Sequence, residues 1–216
     1  MSLRVAAMTF LAAACCLGTA TSASASGMLL SAGAEPLAAA TSAEWVSDEF
    51  TITTVFGQAT CAARGAVRWT STITPLKGKT AKGKTTYAKY LGTMSGGAPS
   101  SGCQEPAGGI TITPSSVPWS STFSNKGIAT TKGSKKVALV ATFAAFPGVK
   151  CVWEASKLIS SFGLGGDGAP VPVELSEHSQ LFKYDKKQSA SICPHEALVS
   201  SRFELISGGH TVVGQL

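Results

Sequence analysis

Acidic residues are scarce in this sequence, which has 12 Asp and Glu against 18 Lys and Arg among 216 residues. A glycosidase needs two opposed carboxylates, and no spacing pairs the acids that are present. The pattern Gly-x-Ser-x-Gly of many serine hydrolases is also missing. His178 and His195 have serine and glutamate nearby, but we interpret both as surface residues because a triad is defined by geometry. We therefore expect no catalytic residues.

Metal-ligand patterns are equally sparse. The sequence has no Cys-x-x-Cys pair, and Cys193-Pro-His195 is its only close pair of Cys and His. Structural zinc sites need more ligands at close spacing. Asp167 has no spaced series of carboxylates beside it, as a calcium loop would have. We predict no metal site.

Long hydrophobic runs are confined to the N-terminus. Arg4 precedes an apolar run over residues 5–17, and small residues continue to Ala25. This order is typical of a secretory signal peptide, so we expect cleavage after Ala25 and a secreted or envelope-associated protein. The alternative is a lipoprotein anchored at Cys15 or Cys16, although leucine is missing three positions before either cysteine. No later segment comes close to the roughly 20 consecutive apolar residues that a transmembrane helix needs.

Four cysteines follow the predicted signal peptide: Cys61, Cys103, Cys151 and Cys193. An even number in an exported chain predicts two disulfides, for which three pairings are possible. The first two and the last two cysteines are each 42 positions apart. This equal spacing favours pairing in sequence order, and each bridge would then stabilise the fold by about 4 kcal/mol.

Apolar residues alternate with polar ones in several segments that end at Gly or Pro. The clearest are residues 50–56, 67–73, 137–146 and 198–206. A period of two predicts β-strands, and no long helix is indicated. The sequence predicts an all-β protein, an antiparallel β-sandwich of the immunoglobulin-like or jelly-roll-like kind with two disulfides.

The predicted organisation has three parts. Residues 1–25 form the signal peptide, residues 26–43 an Ala/Ser-rich lead-in or weak first strand, and residues 44–216 a single β-sandwich domain. The equal cysteine spacing suggests a duplication, but the flanking residues do not repeat. Trp153 lies two residues from Cys151 and so shares its strand face, which indicates a core position rather than a sugar-binding platform. The same interpretation is favoured for the other three tryptophans, Trp45, Trp69 and Trp119.

Residues 163–168 read GLGGDG and match the dinucleotide pattern G-x-G-x-x-G. In a nucleotide site such glycines leave a strand and open a helix whose N-terminal amides bind phosphate. Pro170 and Pro172 follow here, and prolines in this register prevent a helix. We predict a glycine turn between the strand containing Cys151 and a strand that starts near Val171, and no cofactor.

Basic residues are the main surface signal. The chain after residue 25 has 17 basic and 12 acidic residues, a net charge of +5. The densest cluster is predicted to be an exposed turn and a contact for polyanions, and consists of Lys77, Lys79, Lys82, Lys84 and Lys89. The alternative is that these lysines only keep a β protein soluble and block edge pairing. No interleaving of Arg with aromatic residues favours specific binding of nucleic acid.

Several short motifs occur in a fixed order: a strand ending in Cys61, a Gly-rich run into Ser101-Gly-Cys103, Val117-Pro-Trp119, Pro147-Gly-Val-Lys-Cys151, and Cys193-Pro194 before the last strand. This order resembles a group of small secreted actinobacterial proteins that often occur as paralogues. The resemblance covers most of the chain after the signal peptide. It implies an exported β-sandwich with two sequential disulfides and brings no catalytic residues to transfer.

Two functions stay open at this point. The first is a non-catalytic secreted or envelope-associated module that binds an anionic envelope polymer or another extracellular protein. The alternative is a small exported hydrolase whose site is assembled from loops. The absence of a pocket containing a histidine or a pair of carboxylates would argue against the second function.

Overall fold

The computed structural model describes residues 27–166 and 169–216, which form antiparallel strands and no helix. The predicted signal peptide, with Cys15 and Cys16, and residues 167 and 168 of the glycine turn lie outside the described residues. The strands, in chain order, are β1 (Leu29–Ala32), β2 (Glu35–Pro36), β3 (Thr41–Thr54), β4 (Gly57–Cys61), β5 (Arg68–Ala81), β6 (Lys84–Gly97), β7 (Cys103–Glu105), β8 (Gly108–Ser115), β9 (Trp119–Ser124), β10 (Ile128–Gly133), β11 (Val137–Phe143), β12 (Phe146–Ala155), β13 (Leu158–Phe162), β14 (Val171–Pro172), β15 (Glu174–Tyr184), β16 (Glu196–Ser207) and β17 (His210–Gln215).

Hydrogen bonding closes β3 to β13, together with β15 and β16, into two rings that share β3, β15 and β16. The first ring runs β3, β5, β6, β9, β10, β13, β15, β16 and back to β3. The second ring runs β3, β4, β7, β8, β11, β12, β15, β16 and back to β3. Because the shared strands are long, each contributes one half to the first ring and the other half to the second.

Bulges mark the places where the shared strands change rings. In β3, Asp48 has no partner on β16, and its carboxylate forms ion pairs with Arg64 at 3.3 Å and Arg202 at 3.7 Å. In β15, the register with β16 shifts between Glu177 and Gln180. An extra residue bends a strand and increases its twist, which lets one strand leave one ring and join the other.

The predicted all-β, antiparallel class is confirmed. Hydrogen bonds continue around each ring, so the two layers expected of a sandwich are joined at their edges. The immunoglobulin-like or jelly-roll-like sandwich topology stays a prediction. Of the predicted lead-in, residues 29–32 form β1, which pairs with β17, and β3 already begins at Thr41. The segment predicted as a lead-in thus contains β1, β2 and the first residues of β3.

Alternating patterns predicted the core well where strands are long. Val67, Trp69, Ser71 and Ile73 share a face and all are buried. All four tryptophans are buried, as the core interpretation predicted. The pattern over residues 50–56 was wrong at its end, because β3 stops at Thr54 and Phe56 lies in the exposed turn to β4.

Both disulfides join the cysteines in sequence order. Cys61 bonds to Cys103 and Cys151 bonds to Cys193, with Cα atoms 4.1 and 5.5 Å apart. Both bridges belong to the second ring: the first ties β4 to β7, and the second ties β12 to the loop between β15 and β16. The shortest strand of this ring, β7, and its longest loop are thus covalently fixed.

The side chain of Glu177 is buried beside the bulge in β15. Its carboxylate accepts hydrogen bonds from the hydroxyls of Ser160 on β13, at 2.8 Å, and Ser201 on β16, at 3.1 Å. Burial raises the pKa of Glu177 above its ordinary value, and the two hydrogen bonds only partly oppose this effect. A buried carboxylate without a cation is costly, so the proton is held more tightly in the folded state than in the unfolded state.

We predict that Glu177→Gln increases the free energy of unfolding at neutral pH. A raised pKa in the folded state gives stability that is present below the ordinary glutamate pKa and is lost as the pH rises through the folded value. The advantage of the variant should therefore grow from pH 4 to pH 7 in urea unfolding. The control is Glu174→Gln, a half-buried acid on the same strand, which should show no such trend. A less stable Glu177→Gln protein at pH 7 would mean that the ionised carboxylate is favoured.

Candidate functional site

Three turns and one long loop meet at the open end of the second ring. Because β3, β7, β11 and β15 all run toward this end in antiparallel pairing, the connections that follow them lie side by side. They are the turns at residues 55–56, 106–107 and 144–145 and the loop at residues 185–195. Residues far apart in sequence are thus placed around one opening.

These connections surround an apolar cleft of about 310 Å³. We define the apolar cleft by its main lining residues, which are Phe56, Pro106, Phe143, Phe146, Val149 and Ile192. Ala107, Pro194 and the Cys151–Cys193 disulfide complete the apolar part of the wall, and Glu105 is the one carboxylate in it. Burial raises the pKa of Glu105. The volume lies at the lower end of the roughly 300–1,000 Å³ found for small-molecule sites.

Large apolar side chains project from the rim of the apolar cleft. Among the lining residues, the exposed fractions are 69% for Phe56, 59% for Ile192 and 48% for Phe146, and Val55, which precedes Phe56 and lines the neighbouring groove, is 84% exposed. Single exposed apolar residues are ordinary, but a contiguous group around a concave surface marks a binding site. These residues were not predicted from the sequence, although apolar side chains near turns with Gly or Pro, as in TVFG and FAAFPG, were a usable signal.

The loop at residues 185–195 is held firmly beside the apolar cleft. Its backbone follows β12, since Asp185 N donates to Val152 O at 2.9 Å and Ala190 N donates to Lys150 O at 3.0 Å. Trp153 Nε1 donates to Pro194 O at 2.9 Å, and the disulfide fixes the position between these contacts. The cleft wall is therefore preformed rather than assembled by a ligand.

A wider groove adjoins the apolar cleft and shares Phe56, Ile192, Cys193 and Pro194 with it. Ser191, His195 and Glu196 also line this groove, and these are residue types that a hydrolase would use. Within the described residues no hydrogen bond joins any two of their side chains, whereas a serine nucleophile needs a bond to its base. The His195 ring instead stacks on Tyr184, with centroids 5.3 Å apart.

The predicted polyanion contact lies at the opposite end of the molecule. Residues 77–89, here called the basic hairpin, extend β5 and β6 beyond Thr41, where β3 begins. Lys82 and Gly83 both have positive φ, 51° and 75°, which is the geometry of a tight two-residue hairpin turn. All five of its lysines are exposed, and within the described part of the chain none forms an ion pair with an acid.

The described part of the glycine turn lies against the C-terminal strand. Gly165 N donates to Gly214 O at 3.0 Å, and Leu216 N donates to Gly165 O at 2.9 Å. The next element is β14, which starts at Val171 as predicted, whereas the strand before the turn is β13 and not the one containing Cys151. These backbone groups are thus used within the fold.

Comparisons with protein-family models, with curated proteins and with solved structures find no match to this chain. Among residues 27–166 and 169–216, no helix has the length and hydrophobicity needed to cross a membrane. The same residues contain no group of three or more His, Cys, Asp or Glu placed to hold a metal ion. The apolar cleft and the basic hairpin therefore have to be interpreted from their own geometry.

We predict that Gly165→Ala destabilises the protein while Gly166→Ala does not. A Cβ atom at position 165 would lie 1.5 Å from the carbonyl oxygen of Ala169, whereas one at position 166 meets no atom of the described residues within 4 Å. Such overpacking costs about 1–3 kcal/mol of unfolding free energy, which urea unfolding can measure. Equal stability of the two variants would contradict the close approach at Gly165.

Proposed function

We propose that the chain is a non-catalytic, exported binding module that takes its ligand in the apolar cleft. The observation that carries this proposal is the preformed cleft with three exposed apolar side chains in its lining, Phe56, Phe146 and Ile192. A soluble protein gains nothing from exposing such a group unless a partner covers it. Export is consistent with the two disulfides, because disulfides persist in oxidising compartments. The resemblance to secreted actinobacterial proteins is part of this proposal.

A second contact is proposed at the basic hairpin, with an anionic envelope polymer or an acidic extracellular protein as the partner. Its support is geometric, since the hairpin projects beyond the first ring and its lysines have no acidic partners in the described residues. Attraction by such a group is long-range and screened by salt. The two proposed contacts lie at opposite ends of the shared strands, so both can be occupied at once.

The apolar cleft should bind N-phenyl-1-naphthylamine, an uncharged dye whose fluorescence rises in apolar surroundings. We expect the double variant Phe146→Ser, Ile192→Ser to lose at least tenfold in affinity for this dye, because burying either side chain against a ligand contributes on the order of 1–2 kcal/mol. The matched control is Ile128→Ser, Ile159→Ser. These two residues are 45% and 46% exposed and lie outside the cleft lining.

Fluorescence titration with equal protein concentrations measures this difference. The control should bind the dye as the unsubstituted protein does. An equal loss in both double variants would assign dye binding to general surface hydrophobicity and contradict the proposed site.

The basic hairpin should retain the protein on purified anionic cell wall or on an anionic matrix. We expect the variant Lys79→Gln, Lys82→Gln, Lys84→Gln to lose retention at low salt, with the unsubstituted protein eluting by about 0.2 M salt. The control carries the same charge change at another exposed group, Lys183, Lys186 and Lys187. If both variants lose retention equally, net charge alone is responsible; if neither does, the hairpin lysines serve solubility.

A further inference from the structure

We propose that the apolar cleft binds one unbranched hydrocarbon chain of an amphiphile, with the polar head in the adjoining groove. This inference rests on the binding role proposed above for the same site. It follows from three properties of the site: the predominantly apolar wall formed by the described residues, the volume, and the continuity of the cleft with a polar groove.

The cleft wall offers almost nothing to a polar guest. Phe56 N already donates to Thr54 Oγ1 at 3.2 Å, and Cys193 N donates to Ala190 O at 3.0 Å. The carbonyl of Pro194 accepts from Trp153, and Pro106 and Pro194 have no N–H. A peptide strand would bury its own amides here without partners, and each unpaired amide costs free energy. The buried part of the guest is therefore hydrocarbon.

The described residues that line the cleft also include no buried side-chain nitrogen or oxygen that lacks a hydrogen-bond partner. Within the described residues, the one buried side-chain nitrogen or oxygen without a hydrogen-bond partner is Trp69 Nε1. Trp69 lies on β5 of the first ring and does not line the cleft. Among the described residues that line the cleft, Glu105 is the only one with an ionisable side chain, and it is the last residue of β7, next to the turn at residues 106–107.

The volume of the cleft and its surroundings limit the shape of the ligand that it can bind. A cleft of about 310 Å³ accommodates one narrow chain rather than a large fused-ring lipid. The groove that shares four residues with the cleft adds polar side chains of both signs, including Lys183, His195 and Glu196. A chain lying in the cleft has its exit in this groove, so its head group would meet charged and hydrogen-bonding partners. Apolar tail and polar head define an amphiphile.

The experiment measures displacement of N-phenyl-1-naphthylamine by alkyl maltosides with chains of 8, 10 and 12 carbons, each below its micelle concentration. We expect affinity to rise about tenfold for every two methylenes added, as burial of hydrocarbon predicts, until the chain fills the cleft. A synthetic peptide rich in Phe and Leu should not displace the dye.

Two alanine-to-tryptophan variants test the location. Ala107 and Ala144 are both exposed residues of neighbouring turns, but only Ala107 lines the apolar cleft. Ala107→Trp should fill the cleft and abolish binding of the 12-carbon maltoside, while Ala144→Trp should bind it normally. Circular dichroism of both variants checks that the fold is retained.

The outcomes separate this inference from the proposed function. Dye binding without displacement by any maltoside, or displacement by the peptide, overturns the hydrocarbon-chain assignment and leaves a binding module with another ligand. Failure of the unsubstituted protein to bind either the dye or the maltosides overturns both. Binding to phosphatidylcholine vesicles that Ala107→Trp leaves unchanged, together with no maltoside binding, would place the exposed rim in a bilayer and also overturn the single-chain site.

Discussion

The pairing of β3 with β16 is the contact on which the rest of the structure depends. It extends from Glu44 opposite Ile206 to Thr53 opposite Leu198, and both rings close through it. Aromatic packing reinforces this pairing, since the Phe203 ring lies 4.6 Å from that of Trp69 and 6.1 Å from that of Phe50, measured between centroids. Because the rings share this seam, the register of one sets the positions of the turns in the other.

The individual strands were more predictable than their arrangement. Alternation such as that of Val67, Trp69, Ser71 and Ile73 reports which face of a strand is buried, and that depends on the strand alone. Closure into two rings depends instead on which strands become neighbours. It requires the shared strands to bend at Asp48 and at Ser179, where a φ of 49° accompanies the shifted register. Neither residue interrupts its local pattern in a way that distinguishes a bulge from an ordinary polar position.

The two candidate contacts also differ in how far the sequence predicted them. The basic hairpin was visible in the sequence because its five lysines lie within 13 consecutive residues, 77–89, and neighbours along a hairpin remain neighbours in space. The apolar cleft was not visible because its residues are far apart in sequence: Phe56, Pro106 and Ile192 come from three separate connections, and Phe146 is the first residue of β12 after a fourth. Each connection contributes one or two apolar residues, and so few apolar residues do not distinguish it from an ordinary turn. Only the antiparallel order of the strands brings the four connections to one end.

The position of the two contacts has a mechanical consequence. The basic hairpin and the apolar cleft lie at opposite ends of the shared strands, so tension between bound partners would act along β3 and β16. Antiparallel hydrogen bonds lie perpendicular to their strands, and such a load shears all of them together instead of opening them one after another. A protein loaded at both ends in this way resists extension, because many hydrogen bonds must break at once. The same strands pulled apart at a single turn would lose their hydrogen bonds one after another.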